Sequence, residues 1–187
     1  GEFYFAETKS KVIDILKELQ SIIPESIQSY SWKKSMKWSD YNLSWARPLK
    51  SIIALFDYQV IIFDFFHIRS SNLTLIEGIN DNKIKKINSY KSYLSLLNTQ
   101  NIILDQEKRK NIIIKKMNSI CNAKNLKNNF NEKLIEEVVN LVEKPNVILG
   151  KFDEIYLKVP QEILIVTMQQ HQKYFPLFDN NNKLTNL

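Results

Sequence analysis

Apolar residues return every three or four positions in several stretches of this chain, and they run almost unbroken through part of its first half. Val12, Leu16, Leu19 and Ile23 fall on one helical face, which predicts an amphipathic helix over 7–23 stopped by Pro24. The apolar runs 49–56 and 60–66, joined by Asp57-Tyr58-Gln59, predict a β-hairpin covered on both faces. Residues 26–47 lead irregularly into it, and 70–86 leave it as a polar, turn-rich loop holding one short strand. Ser89 then caps a helix over 89–97 and Asp105 another over 106–121, with Ile113, Met117, Ile120 and Cys121 as its apolar stripe.

The pattern continues with a Lys/Asn linker over 122–129. Asn131 caps a helix reaching about residue 142, with Leu134, Val138 and Leu141 on its inner face together with Leu164. Acidic Glu132 sits near the helix's positive end, and Pro145 follows as a stop signal. A strand over 146–149 comes next. Val159-Pro160 starts a helix that ends near His171, 174–178 is a strand, and 179–182 turns toward Lys183-Leu184. Helices and strands mixed without regular alternation predict an α+β fold, a mixed sheet with packed helices. Residues 1–187 are read as one domain with a sub-boundary near 122–130, and no internal repeat is visible.

Composition narrows the classes of function. The chain has 187 residues, 44% of them hydrophobic and 25% charged, which is ordinary globular composition. Asp57 and Asp64 interrupt the longest apolar runs, so neither spans a bilayer, and no basic-then-apolar leader opens the sequence. A single cysteine, Cys121, excludes an internal disulfide framework; its place in a helical stripe marks a small buried residue. The net charge of +6 invites a polyanion. Against that, the cations are nearly all Lys, with Arg47, Arg69 and Arg109 the only arginines, and Ile and Asn are also abundant. An AT-rich genome imposes that bias without any RNA, and Arg is the better bidentate phosphate ligand.

Catalytic signatures are scarce. The three glycines, Gly1, Gly78 and Gly150, build no phosphate-cradling loop. Two distant histidines, His67 and His171, with one cysteine give no metal-ligand spacing, and no Ser, Cys or Thr stands in a nucleophile motif. His171 closes a helix, and Glu136-Glu137 reads as an exposed helix face. Trp32, Trp38 and Trp45 among Lys33, Lys34 and Lys37 form either a base-stacking surface or core. Gln172-Lys173-Tyr174 is the strongest candidate. Its amide, cation and phenol suit an RNA phosphate and base, while the competing reading puts Tyr174 and Phe175 in the core and Gln172 on backbone groups.

Certain spaced residues carry a family resemblance. Leu134-Ile135-Glu136-Glu137-Val138, Leu141-Val142-Glu143, Pro145, Gly150, Phe152, Leu157, Val159-Pro160, Glu162, Leu164, Met168 and Gln172 through Pro176 stand where a known pattern has them. Upstream, Met36-Lys37-Trp38, Ala46-Arg47-Pro48 and Ile52-Ile53-Ala54-Leu55 match a second block of it. The pattern resembles the β subunit of bacterial two-subunit glycyl-tRNA synthetase, across nearly the whole chain but a minority of a full subunit. The Gly start and the end at a turn fit an internal fragment. One departure stands out: where that family carries Gly-His-Arg-Phe, a gap-free alignment from Arg69 puts Ile76-Glu77-Gly78-Ile79.

The resemblance implies a cytoplasmic enzyme that makes glycyl-tRNA from glycine, ATP and tRNA(Gly) as a hetero-tetramer of two α and two β subunits. ATP and Mg²⁺ belong to the partner α subunit, and no cofactor is expected here. The fold it implies is similar to the editing-type domain of the phenylalanyl-tRNA synthetase β subunit. The expected role is tRNA positioning and subunit scaffolding without chemistry of its own, through Gln172, Lys173, Tyr174 and Arg47. Two alternatives stay open: a hydrolytic editing domain, and a structural domain with no RNA contact.

Overall fold

A computed structural model describes residues 3–6, 12–77 and 82–186. Helices and short strands mix along the chain, so the α+β class holds. Among the described residues the strands form four separate two-stranded antiparallel ladders rather than one mixed sheet. The chain divides into two compact units, residues 1–94 and 95–187.

The first unit opens with α1, Ile15–Gln28, capped by Asp14, whose carboxylate accepts from the Lys17 N–H. The predicted stop at Pro24 fails, because the helix passes through the proline. Leu16, Leu19, Ile23 and Ile27 all pack on the core, and Ile27 lies beyond Pro24. That apolar stripe outweighs the hydrogen bond Pro24 cannot donate, a defect of about 3 kcal/mol in a helix interior. The predicted onset at residue 7 falls outside the described residues; 12–14 is not helical.

The long hairpin is really two tight ones. β1 (Leu55–Phe56) pairs with β2 (Gln59–Val60) across Asp57-Tyr58. β3 (Asp64–Phe65) pairs with β4 (Ile68–Arg69) across Phe66-His67. The predicted strand over 60–66 therefore breaks between Ile61 and Phe63, and the buried Ser70 hydroxyl repairs the break. It donates to the Ile61 carbonyl at 2.7 Å and accepts from the Phe63 N–H at 2.8 Å. Burial alternates, with Ile61, Phe63 and Phe65 inside and Ile62, Asp64 and Phe66 outside. One face is covered, not both.

Ile61, Phe63 and Phe65 form the core with Leu43 and Ala54, joined by Trp38, Trp45, Leu49 and Ile52. Residues 70–86 are more ordered than a loop: β5 (Leu73–Glu77) and β6 (Asn82–Lys86) form a five-pair ladder. Alternating apolar residues with lysines opposite them hid this hairpin. Of the segment that departs from the family pattern, Gly78 and Ile79 lie outside the described residues. Tyr90–Thr99 forms α2, where Ser89 accepts from the Ser92 N–H and Ser92 accepts from the Ser89 N–H, a reciprocal cap.

The second unit is built on α3 (Gln106–Lys124) and α4 (Glu132–Leu141). Asp105 and Asn131 cap them as predicted, accepting from the Lys108 and Leu134 N–H groups. The expected linker over 122–129 is instead the last turn of α3, a left-handed Asn125 cap at φ 53°, and β7 (Lys127–Asn128). β7 pairs with β8 (Leu177–Phe178), all that forms of the strand predicted over 174–178. No strand forms over 146–149.

The core of this unit joins Ile113 and Met117 to Ile135 and Val139. Leu141 was expected inside but is 45% exposed. The buried arc of α4 runs from Leu134 through Val138 and Ile135 to Val139, and Leu141 lies at its rim in the final turn. Leu164 is half-buried. The α3 stripe begins with Arg109, four residues before Ile113, and the residue is 7% exposed. It donates to the carbonyls of Val139, Ile103 and Leu104. A cation thus meets the Val139 carbonyl in the last turn of α4, which lacks a basic residue of its own there. Among the described residues, no helix is long and apolar enough to cross a membrane.

Candidate nucleic-acid interface

Pro160 opens α5 (Gln161–Val166), where a missing N–H costs nothing in the first turn. The helix then widens into one π turn, Thr167–His171, with the Gln172 N–H reaching back five residues to the Thr167 carbonyl at 3.2 Å. Such widened turns crowd functional sites more often than ordinary helix ends do. Lys173 follows in the left-handed region at φ 59°, and the Tyr174 N–H returns to the Met168 carbonyl at 2.8 Å. The motif is thus a tight reversal held by its own backbone.

The side chains then separate. Lys173 reaches α4, with Nζ 2.9 Å from both Glu137 carboxylate oxygens. Phe175 packs on the core of Ile113, Met117, Ile135 and Val139, while Pro176, Leu177 and Phe178 are buried. Tyr174 remains 59% exposed. The core reading therefore holds for Phe175 and fails for Tyr174. Gln172 and His171 are exposed. Glu137 is the partner that sequence reasoning missed: Glu136-Glu137 has the pattern of a solvated face, and no local spacing links Glu137 to a residue 36 positions away.

Arg47 belongs to the first unit, the motif at 172–174 to the second. Its side chain is exposed and makes no hydrogen bond or ion pair among the described residues. Gln172, Lys173 and Tyr174 lie together in the second unit, and Arg47 lies in the first. The tryptophans divide as well: Trp38 and Trp45 pack on the core, whereas Trp32 is 41% exposed.

Beside the motif lies a cavity of about 610 Å³, lined by Met117, Cys121, Val142, Met168, Lys173 and Tyr174 among others. Its wall is mainly apolar. The Asn128 amide also lines it, with oxygen and nitrogen both buried and unpaired among the described residues. Burial pushes the Cys121 thiol above its ordinary pKa, away from nucleophilic thiolate character. Among the described residues, no three His, Cys, Asp or Glu side chains gather as a metal-holding group.

The chain is matched over residues 1–187 by the family described as glycyl-tRNA synthetase beta subunit. It is 41% identical over 177 residues to the glycine–tRNA ligase beta subunit of Rickettsia akari (strain Hartford), covering 95% of this chain and 27% of that protein. It is 38% identical over 183 residues to the same-named protein of Rickettsia africae (strain ESF-5), covering 98% of this chain and 28% of the relative. The chain thus spans about a quarter of the length of these relatives. On the match over all of its residues, this chain belongs to the glycyl-tRNA synthetase beta subunit family.

Proposed function

We propose that this chain supports glycyl-tRNA formation in the cytoplasm by positioning tRNA(Gly) and scaffolding the assembly of two α and two β subunits. In this reading ATP and Mg²⁺ act at the partner α subunit, and the fold serves as a relative of the editing-type domain of phenylalanyl-tRNA synthetase. The observation that carries the RNA contact is Tyr174. It stands 59% exposed on a turn fixed by the Lys173–Glu137 pair and the Met168 carbonyl. A rigid aromatic at the surface can stack on a base with little loss of side-chain freedom.

The Lys173–Glu137 pair changes what Lys173 contributes. Its charge is already compensated, so Lys173 acts first as the strap that orients Tyr174 and second as a phosphate ligand. Hydrolytic editing would need convergent polar groups and an activated water. The cavity instead offers mainly apolar walls, and of its polar members Asn128 neither gives nor takes a proton at neutral pH while Lys173 is tied to Glu137. The apolar cavity favours scaffolding as the companion role.

In the full-length subunit assembled with its partner, Tyr174→Ala should weaken tRNA(Gly) binding by about 1–3 kcal/mol. Tyr174→Phe should be milder, and glycine activation should stay intact in both. Unchanged tRNA affinity in a folded Tyr174→Ala enzyme overturns the contact.

A further inference from the structure

A second aromatic surface lies in the first unit and takes no part in the site above. Residues 35–45 fold into a short ribbon: Met36 and Trp45 exchange backbone hydrogen bonds at 2.8 and 3.1 Å, and the Ser44 hydroxyl donates to that of Ser35 at 2.8 Å. Lys37 Nζ closes the ribbon on the Asn42 side chain at 3.3 Å. Its end carries Tyr41, whose ring stacks on His67 with centroids 3.6 Å apart and planes 10° from parallel. His67 is itself fixed, with Nε2 donating to the Leu49 carbonyl at 3.3 Å and its ring edge-on to Trp38.

A chain of edge-on contacts runs from Tyr30 through Trp32 and Trp45 to Phe65 and Phe66. Its inner members are anchored in the core, since Phe65 is buried and Trp45 packs on it. Its outer members are open, with Tyr30 61% exposed, Trp32 41% and Phe66 49%, and so is Tyr41 on the His67 stack, 43% exposed. These rings are locked against other rings and still present surface, which is the condition for stacking an incoming plane without first paying to order it. Exposed aromatics alone do not choose a partner. The charge around them does. Between residues 30 and 50 stand Lys33, Lys34, Lys37, Arg47 and Lys50, all exposed, against Asp40 alone. That stretch carries a net +4 of the chain's +6.

We propose that the Tyr30–Trp32–Tyr41–Phe66 surface, with Lys33, Lys34 and Lys37, binds unpaired nucleotides of an RNA by stacking and phosphate contact. Stacking accepts any base, and lysines follow a backbone as point charges, so this surface contributes affinity rather than sequence choice. It rests on the reading above only in taking RNA as the partner; its residues and its unit are different.

The test uses the full-length subunit assembled with its partner and a fluorescein-labelled 12-nucleotide oligoadenylate RNA. Tyr41→Ala should weaken binding about 5- to 150-fold, the loss expected for one stacked base. Tyr41→Phe should keep most of the affinity. Because Tyr41→Ala also removes the cover of His67, a second variant avoids the core. Lys33→Ala/Lys34→Ala should fold normally and lower the slope of log affinity against log salt by about 1.4, two single-strand phosphate contacts. Unchanged affinity and slope in folded variants overturns the proposal. So does a variant that loses association with the partner subunit while binding the RNA normally, since the rings would then be covered by protein. Tyr174→Ala is run alongside. If it alone loses tRNA(Gly) affinity, the tRNA reading stands and this surface falls; if it binds normally while the lysine pair fails, the reverse holds.

Discussion

The two units use the same α+β vocabulary in opposite ways. The first rests on tight hairpins and an aromatic ribbon, leaves Tyr30, Trp32, Tyr41 and Phe66 open, and concentrates positive charge beside them. The second rests on two capped helices, carries a cavity with a mainly apolar wall, and neutralises its candidate lysine with Glu137. A lysine beside an aromatic is therefore not one kind of signal. Lys173 and Tyr174 look like Lys33 and Trp32 in sequence, yet one cation is strapped to a carboxylate and the other sits in a field of like charge. The difference is set by what the fold brings from far along the chain.

The sharpest way to break the comparison is at the helix core of the second unit. Ile135 is 2% exposed and central to the α3–α4 packing, whereas Leu141 is 45% exposed at the rim. Ile135→Ala should cost about 2–5 kcal/mol in a denaturant titration. Leu141→Ala should cost clearly less, because nearly half of its surface is never removed from water. Equal losses would restore the Leu134–Val138–Leu141 face and undo the description of this unit.

That contrast also shows where the sequence was legible. Ser89, Asp105 and Asn131 announced their helices because a cap is a local event, a side chain meeting an N–H three residues on. The α3 stripe was readable for the same reason. The phase of α4 was not, since residues four and seven apart can lie at the edge of an apolar arc as easily as at its centre. Pro24 misled because tertiary packing of Ile27 decides the matter. In the candidate site, Tyr174 and Lys173 were legible as residue types, while Glu137 and the cavity needed the folded chain.

A middle-sized effect tests the first unit. Ser70 is 1% exposed, and its hydroxyl serves both Ile61 and Phe63 where the ladder is interrupted. Ser70→Ala leaves a buried carbonyl and a buried N–H unpaired, which should cost about 1–3 kcal/mol by thermal or denaturant melting. Ser70→Thr keeps the hydroxyl but adds a methyl where no surface is free, so it should recover only part of the loss. If Ser70→Ala melts like the parent, the double hairpin does not depend on a side-chain repair.

The smallest effect runs the other way. Asp57 and Tyr58 are the two central residues of the β1–β2 turn, and both hold positive φ, 45° and 64°. That is the type I′ arrangement, which matches the twist of the flanking strands and normally takes Asn-Gly or Asp-Gly. A left-handed conformation costs a non-glycine residue about 1–2 kcal/mol. Tyr58 is 77% exposed, so little packing compensates it. Replacing it by glycine removes the strain but enlarges the freedom of the unfolded chain, an opposing term of about 0.4–1 kcal/mol. Tyr58→Gly should therefore stabilise the first unit by about 0.5–1 kcal/mol and leave the second unchanged. The measurement is a melting curve followed by tryptophan fluorescence, since all three tryptophans lie in the first unit. A destabilised Tyr58→Gly protein would mean that the freedom gained by the unfolded chain exceeds the strain relieved in the turn.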